Sequence, residues 1–182
     1  MRSARRALVK TLKAETSGQI EIPLGERVFT LRGRADRIEE LAGGGHAILD
    51  YKTGQVPTEK QVRIGISPQL TLEAAILRGG GFDGIAADAS VRELVYVALK
   101  GGEPAGKQET IKFTEGDPDI HAQRALDKLQ SVAARFEDEQ QPYLPLVLSM
   151  WKNRYGTYDH LSRVKEWSVG GTDEEDGMGV SE

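Results

Sequence analysis

The sequence predicts a mixed α/β domain, a central β-sheet flanked by helices. Three observations carry this. Stretches of strand character recur at 19–24, 27–39, 47–53, 92–100 and 107–113. Apolar residues at helical spacing fill 66–78 and 119–138. Short turns join the first three strands, as in an antiparallel meander, whereas a helix intervenes before the fourth.

In chain order, residues 3–14 set Ala4, Ala7, Leu8 and Leu12 at helical spacing with basic residues between them, which predicts a short amphipathic helix. "QIEIPL" (19–24) alternates apolar and polar, the period of a strand. Gly25-Glu26 turns the chain into a second strand, 27–39, and the glycine-rich "AGGGH" leads to a third, 47–53. Residues 54–65 read as a loop. The helix at 66–78 has Ser67 as N-cap and Pro68 at its first position, and is apolar over most of its girth. Strand 92–100 is apolar; 107–113 is more polar and suits a sheet edge. The helix at 119–138 has the cleanest period, through Ala122, Ala125, Leu126, Leu129, Val132, Ala133 and Phe136. Tyr158, Leu161, Val164 and Trp167 predict a last short helix, 158–168.

At 182 residues the chain fits one domain of ordinary size. We expect it to occupy residues 1–168, followed by an acidic, disordered tail at 169–182 in which five carboxylates meet no basic residue. The net charge of −4 argues against nonspecific nucleic-acid binding, but the tail accounts for most of it. With no cysteine, disulfides and thiolate-held zinc or iron–sulfur clusters are excluded within the chain. No apolar run approaches the roughly 20 residues of a membrane span, and the basic start lacks the apolar core of a signal peptide. A cytoplasmic location without membrane attachment is the simplest expectation.

The chemistry centres on "HAILDYKTG" (46–54). An apolar strand ends by placing Asp50 and Lys52 two residues apart, hence on one face, with Tyr51 facing the other way. Charges at a partly buried strand end are costly unless paired or bound to a metal. A structural Asp–Lys pair is the plain alternative. The preceding strand adds Asp36, which a hairpin pairing would bring beside Asp50. Two such carboxylates coexist when a cation lies between them or one takes a proton. Hard oxygen ligands suit Mg²⁺. With the lysine, the set fits metal-assisted phosphodiester hydrolysis.

The ordered elements "GRADRIE", "ILDYKTG" and "PQLTLEAAIL" resemble the PD-(D/E)XK nuclease superfamily in its RecB-like branch, most closely the AddB-type C-terminal nuclease domains of bacterial helicase–nuclease complexes that process double-strand DNA breaks. The resemblance covers residues 15–100, with a further likeness at 158–168. It implies a restriction-endonuclease-like core and a Mg²⁺-dependent deoxyribonuclease, an exonuclease in its complex, with Mn²⁺ able to substitute. Asp36 and Asp50 would be metal ligands together with the backbone carbonyl of Tyr51. Lys52 would be the catalytic lysine, and Gln69 the glutamine of a Q-x-x-x-Y motif near the active site and the DNA. Arg34, Arg37, Lys60 and Arg63 are candidate DNA contacts. The implied partners are a single-stranded DNA end and an AddA-type helicase–nuclease subunit, the chain being a C-terminal piece of a longer subunit.

The sequence departs from the family pattern in three ways. Position 73 is Glu where the motif has Tyr; it is either a further acid near the site or, on the simpler reading, an exposed helix residue. The iron–sulfur cluster of many AddB proteins has no cysteine to hold it. The upstream His or Glu of the branch has only Glu15 as a candidate. The missing upstream acid, the Glu at position 73 and the net negative charge motivate an alternative, a noncatalytic DNA-binding or subunit-docking module on a nuclease fold. His46, His121 and His160 have no metal-ligand spacing and read as surface or loop residues. Trp151, Lys152, Arg154 and Tyr155 interleave aromatic and basic groups, as single-strand binders do, although buried aromatics are the commoner reason.

Overall fold

The computed structural model describes residues 5, 7–99, 106–140 and 142. Its five strands, β1 (Val9–Leu24), β2 (Arg27–Leu41), β3 (His46–Lys52), β4 (Val91–Ala98) and β5 (Lys107–Thr110), form one sheet in the order β1-β2-β3-β4-β5. Pairing is antiparallel except between β3 and β4, which run parallel. Parallel neighbours need a crossover, and the β3–β4 connection supplies two helices, α1 (Glu59–Arg63) and α2 (Gln69–Arg78). The last described helix, α3 (Pro118–Phe136), follows β5. The predicted mixed sheet with flanking helices is therefore what the chain forms. All these elements belong to the compact unit Met1–Asp138; a second unit spans Glu139–Glu182. The predicted helix at 158–168, the aromatic–basic stretch 151–155 and the acidic tail lie outside the described residues.

The amphipathic helix expected at 3–14 is not formed over 9–14, which belongs to β1. β1 pairs with β2 from Val9↔Leu41 to Leu24↔Arg27, so its backbone groups are taken up in the ladder. A helix of that length is marginal in water, and Leu8 and Leu12 remain exposed, so the helical stripe had no core to face. Residues 54–65 are not all loop either. Thr58 caps α1 through the Gln61 N–H while the Gln61 side chain accepts from the Thr58 N–H, a reciprocal capping box.

Strand parity divides the core. On one face Ile38, Ile48, Leu94 and Tyr96 pack with Val62 of α1, Leu70, Ile76 and Leu77 of α2, and Ala122 of α3. On the other, Ala47, Leu49, Val95 and Val97 form a smaller cluster. β3 is thus buried on both faces, as its unbroken apolar run requires. α2 starts at Gln69 with Pro68 as its N-cap, one residue later than the sequence suggested. It presses so closely on β2 that a Cβ on Gly33 would meet Ile76 Cδ1 at 2.9 Å. At α3, Asp117 caps the Ile120 N–H, and Asp119 accepts from Ser90 Oγ and the Val91 N–H at 2.9 and 2.8 Å, fixing the helix to the start of β4.

Candidate active site

The site forms where β2 and β3 part. Their ladder runs from Glu40↔His46 to Arg37↔Leu49 and stops. Asp36 and Asp50 are the next residues beyond the last pair. On the β1 side the paired positions step from Ala14↔Arg37 to Thr16↔Ala35 past Glu15, whose φ is +52°. Instead of a ladder bond, the Tyr51 N–H donates to Asp36 Oδ2 at 2.9 Å. That bond spans the fork and holds the first carboxylate against the end of β3.

Asp50 is 2% exposed. Its Oδ1 accepts from Gln69 Nε2 at 2.7 Å, and its Oδ2 lies 2.8 Å from Lys52 Nζ as an ion pair. Lys52 Nζ also donates to Gln69 Oε1 at 2.8 Å. The three side chains therefore close a ring. The ring fixes the Gln69 amide, because an ammonium can bond only its oxygen and a carboxylate only its nitrogen. Lys52 further sits 5.9 Å from the centre of the Tyr96 ring. Tyr96 pairs with Asp50 across β3 and β4, so it shares that face.

Glu73 is not the exposed helix residue the sequence favoured: it is 5% exposed. At i+4 from Gln69 it lies on the same stripe of α2, and its Oε1 accepts from Gln69 Nε2 at 3.1 Å. One amide nitrogen thus serves both Asp50 and Glu73. Burial pushes the Glu73 carboxyl up; the Gln69 bond opposes this, the Asp50 and Asp36 charges add to it, and Lys52 opposes it again. The result is a pKa of about 7. The Tyr96 phenol is also held well above its usual value, by burial first and then by the Asp50 and Glu73 charges. Glu73 Oε2 and the Tyr96 hydroxyl are buried with no hydrogen-bond partner among the described residues.

Sequence reasoning weighed Glu73 as a further acid near the site but preferred the exposed reading, and it missed Tyr96. The first was detectable: on a helix apolar over most of its girth, an acid four residues after Gln69 has no polar face to occupy. The second depends on the β3–β4 register, which leaves no local signal.

The candidate DNA contacts are scattered. Arg37 lies on the opposite sheet face from Asp36, 2.6 Å from the fully buried Glu39, and so is not brought to the carboxylates. Arg34 is exposed and ion-paired with Glu15, which leaves that upstream acid engaged away from Asp50. Lys60 and Arg63 are exposed on α1, in the segment that links Lys52 to Gln69. His121, read as a surface residue, is buried, stacked on Phe113 with ring centroids 3.7 Å apart. His160 lies outside the described residues.

The donor set is hard oxygen. Among the described residues no three His, Cys, Asp or Glu side chains are gathered in a metal-holding group. Two carboxylates and a backbone carbonyl, completed by water, are the ligands Mg²⁺ favours, so the residues present fit such an ion. No described helix is long and apolar enough to cross a membrane.

A family model described as the PD-(D/E)XK nuclease superfamily matches residues 1–147. Uncharacterized proteins of Rickettsia felis, Rickettsia conorii and Rickettsia typhi are 39%, 40% and 38% identical over 79, 78 and 79 residues. Each match covers 43% of this chain and 9% of the relative, so the chain corresponds to a small part of far longer proteins. Among solved structures, the crystal structure of SSO0001 matches with a TM-score of 0.40 and 18% identity, over 66% of this chain and 50% of that one.

Proposed function

The chain belongs to the PD-(D/E)XK nuclease superfamily, and from that premise we propose that it hydrolyses DNA phosphodiester bonds at the fork between β2 and β3. The ring of Asp50, Lys52 and Gln69, with Asp36 bonded to the Tyr51 N–H at the end of the same strand, supports this reading, since such hydrolysis requires two acids and a lysine. PD-(D/E)XK nucleases typically use Mg²⁺. The ion would be held by Asp36, Asp50 and the Tyr51 carbonyl, and when bound it supplies a Lewis acid that activates water and offsets phosphate charge.

The chain's own groups have separable tasks. Asp36 is oriented by the Tyr51 N–H and Asp50 by the Gln69 amide, so both carboxylates are set before substrate arrives. Lys52 keeps its ammonium against Asp50, placed to neutralise charge that builds on the scissile phosphate. Gln69 holds Lys52 and Asp50 at a fixed separation and presents an exposed amide edge to DNA. Lys60 and Arg63 on α1 supply phosphate contacts.

The finer setting rests on the sequence resemblance and on the length of the relatives. In it, this domain is the nuclease end of an AddB-type subunit, working with an AddA-type helicase–nuclease on single strands from unwound double-strand breaks. A second reading, a noncatalytic DNA-binding or docking module, draws on one observation: Lys52, Asp50 and Gln69 already satisfy one another without a ligand. Product analysis separates the two. Mg²⁺-dependent release of fragments with 5′-phosphate and 3′-hydroxyl ends, abolished in a folded Asp50→Ala variant, is the expected result. DNA binding without metal-dependent cutting would establish the second reading instead.

A further inference from the structure

Glu73 is absorbed by none of these tasks, although it is one of the buried charged residues. A carboxylate buried to 5% exposure normally has both oxygens satisfied. Here Oε1 takes the Gln69 amide while Oε2 has no partner among the described residues. The Tyr96 hydroxyl, 1% exposed, is likewise unpartnered. Glu73 is tied to the second metal carboxylate through one atom, since Gln69 Nε2 donates both to Glu73 Oε1 at 3.1 Å and to Asp50 Oδ1 at 2.7 Å, and Tyr96 pairs with Asp50 across β3 and β4.

Holding Gln69 does not require an acid at position 73. A glutamine there offers the same amide oxygen without a charge to bury. Asp36, Asp50 and Lys52 all act on the Glu73 carboxyl, and a cation is one way to offset the charge of the acids. At the same time, no three acids among the described residues form a metal-holding group, which argues against Glu73 as a third direct ligand.

We propose that Glu73 is an outer carboxylate of the cation site, its free Oε2 accepting hydrogen bonds from water that completes the shell of an ion held by Asp36 and Asp50. This rests on the reading that those two acids hold a divalent cation. Mg²⁺ and Mn²⁺ keep several waters, and acceptors that fix such waters tune affinity without touching the metal. The Tyr96 hydroxyl is a second candidate acceptor or donor for the same water. The Tyr that the family motif places at position 73 offers only a neutral hydroxyl, so this chain has a more acidic cation site than that pattern.

The test is Mn²⁺ binding to the metal-free chain, followed by isothermal titration calorimetry at one fixed pH, with circular dichroism confirming the fold of each variant. Glu73→Gln preserves the oxygen that Gln69 requires and removes only the charge. It is expected to weaken Mn²⁺ binding about tenfold. Glu73→Asp, shorter by one methylene, shifts the carboxylate off its water and is expected to weaken binding in the same direction, so the test survives if one variant fails to fold. Wild-type affinity in Glu73→Gln, with binding lost in Asp50→Asn, would overturn the role of Glu73 and leave the cation site standing. Absence of Mn²⁺ binding by the wild-type chain would overturn both.

Discussion

At the scale of single residues, the ring around Gln69 shows how little freedom the site has. An amide can point either way in a pocket, but Lys52 on one side and two carboxylates on the other leave one orientation. Glu73 bears the cost of this arrangement. Its carboxyl is ordinary in the unfolded chain, with a value of 4.5, and is raised to about 7 in the fold. A raised carboxylate stabilises the fold only while protonated. Its contribution is complete below the unfolded value and is lost as pH rises through the folded one. The gap amounts to roughly 3 kcal/mol between acid and neutral pH. Glu73→Gln removes that titration. In urea melts of metal-free protein the variant should be more stable than wild type at pH 8 and should lose the advantage toward pH 4.5. A difference that does not vary with pH would contradict the burial of a charge at this position.

At the scale of elements, sequence patterns were legible where one residue's environment is set by its own strand or helix. The apolar run of β3, the turns of the meander, α2 and α3 could all be read directly. So could the antiparallel pairing of β2 with β3, the two strands that carry Asp36 and Asp50. Other features were hidden because a partner decides them. Residues 9–14 carry helical spacing but are drawn into the ladder with β2. Arg37 was grouped with Asp36 by proximity along the chain, although neighbours on a strand face opposite ways and Glu39 claims it. α1 was read as loop, although the Thr58-to-Gln61 spacing of its capping box is a signal for it. Gly33 is a packing requirement: α2 lies against β2 with Ile76 Cδ1 where a side chain would begin. Gly33→Ala should destabilise the fold by about 1–3 kcal/mol, and Ile76→Val, which removes that methyl, should recover part of the loss. Strict additivity of the two changes in denaturant melts would rule out this contact as the reason for the glycine.

At the scale of the whole molecule, net charge works against the proposed substrate. The chain is net acidic, and the site itself adds negative charge, so DNA must be drawn in by local cations. Lys60 and Arg63 on α1 are the exposed pair nearest in sequence to both halves of the ring. A Lys60→Ala/Arg63→Ala variant should weaken single-strand binding. It should also flatten the dependence of log affinity on log salt by about 1.4, for two lost phosphate contacts. An unchanged slope would move the DNA path elsewhere on the surface.

The central claim is that Lys52 and its carboxylates form a working nuclease site. The most direct measurement is Mg²⁺-dependent degradation of end-labelled single-stranded DNA by the wild-type chain and by Lys52→Ala, with matched melting curves showing both folded. The account predicts cutting by the wild-type chain, dependent on the added metal, and its loss in the variant. Equal cutting by both proteins would contradict the role given to the lysine and, with it, the chemistry assigned to the fork between β2 and β3.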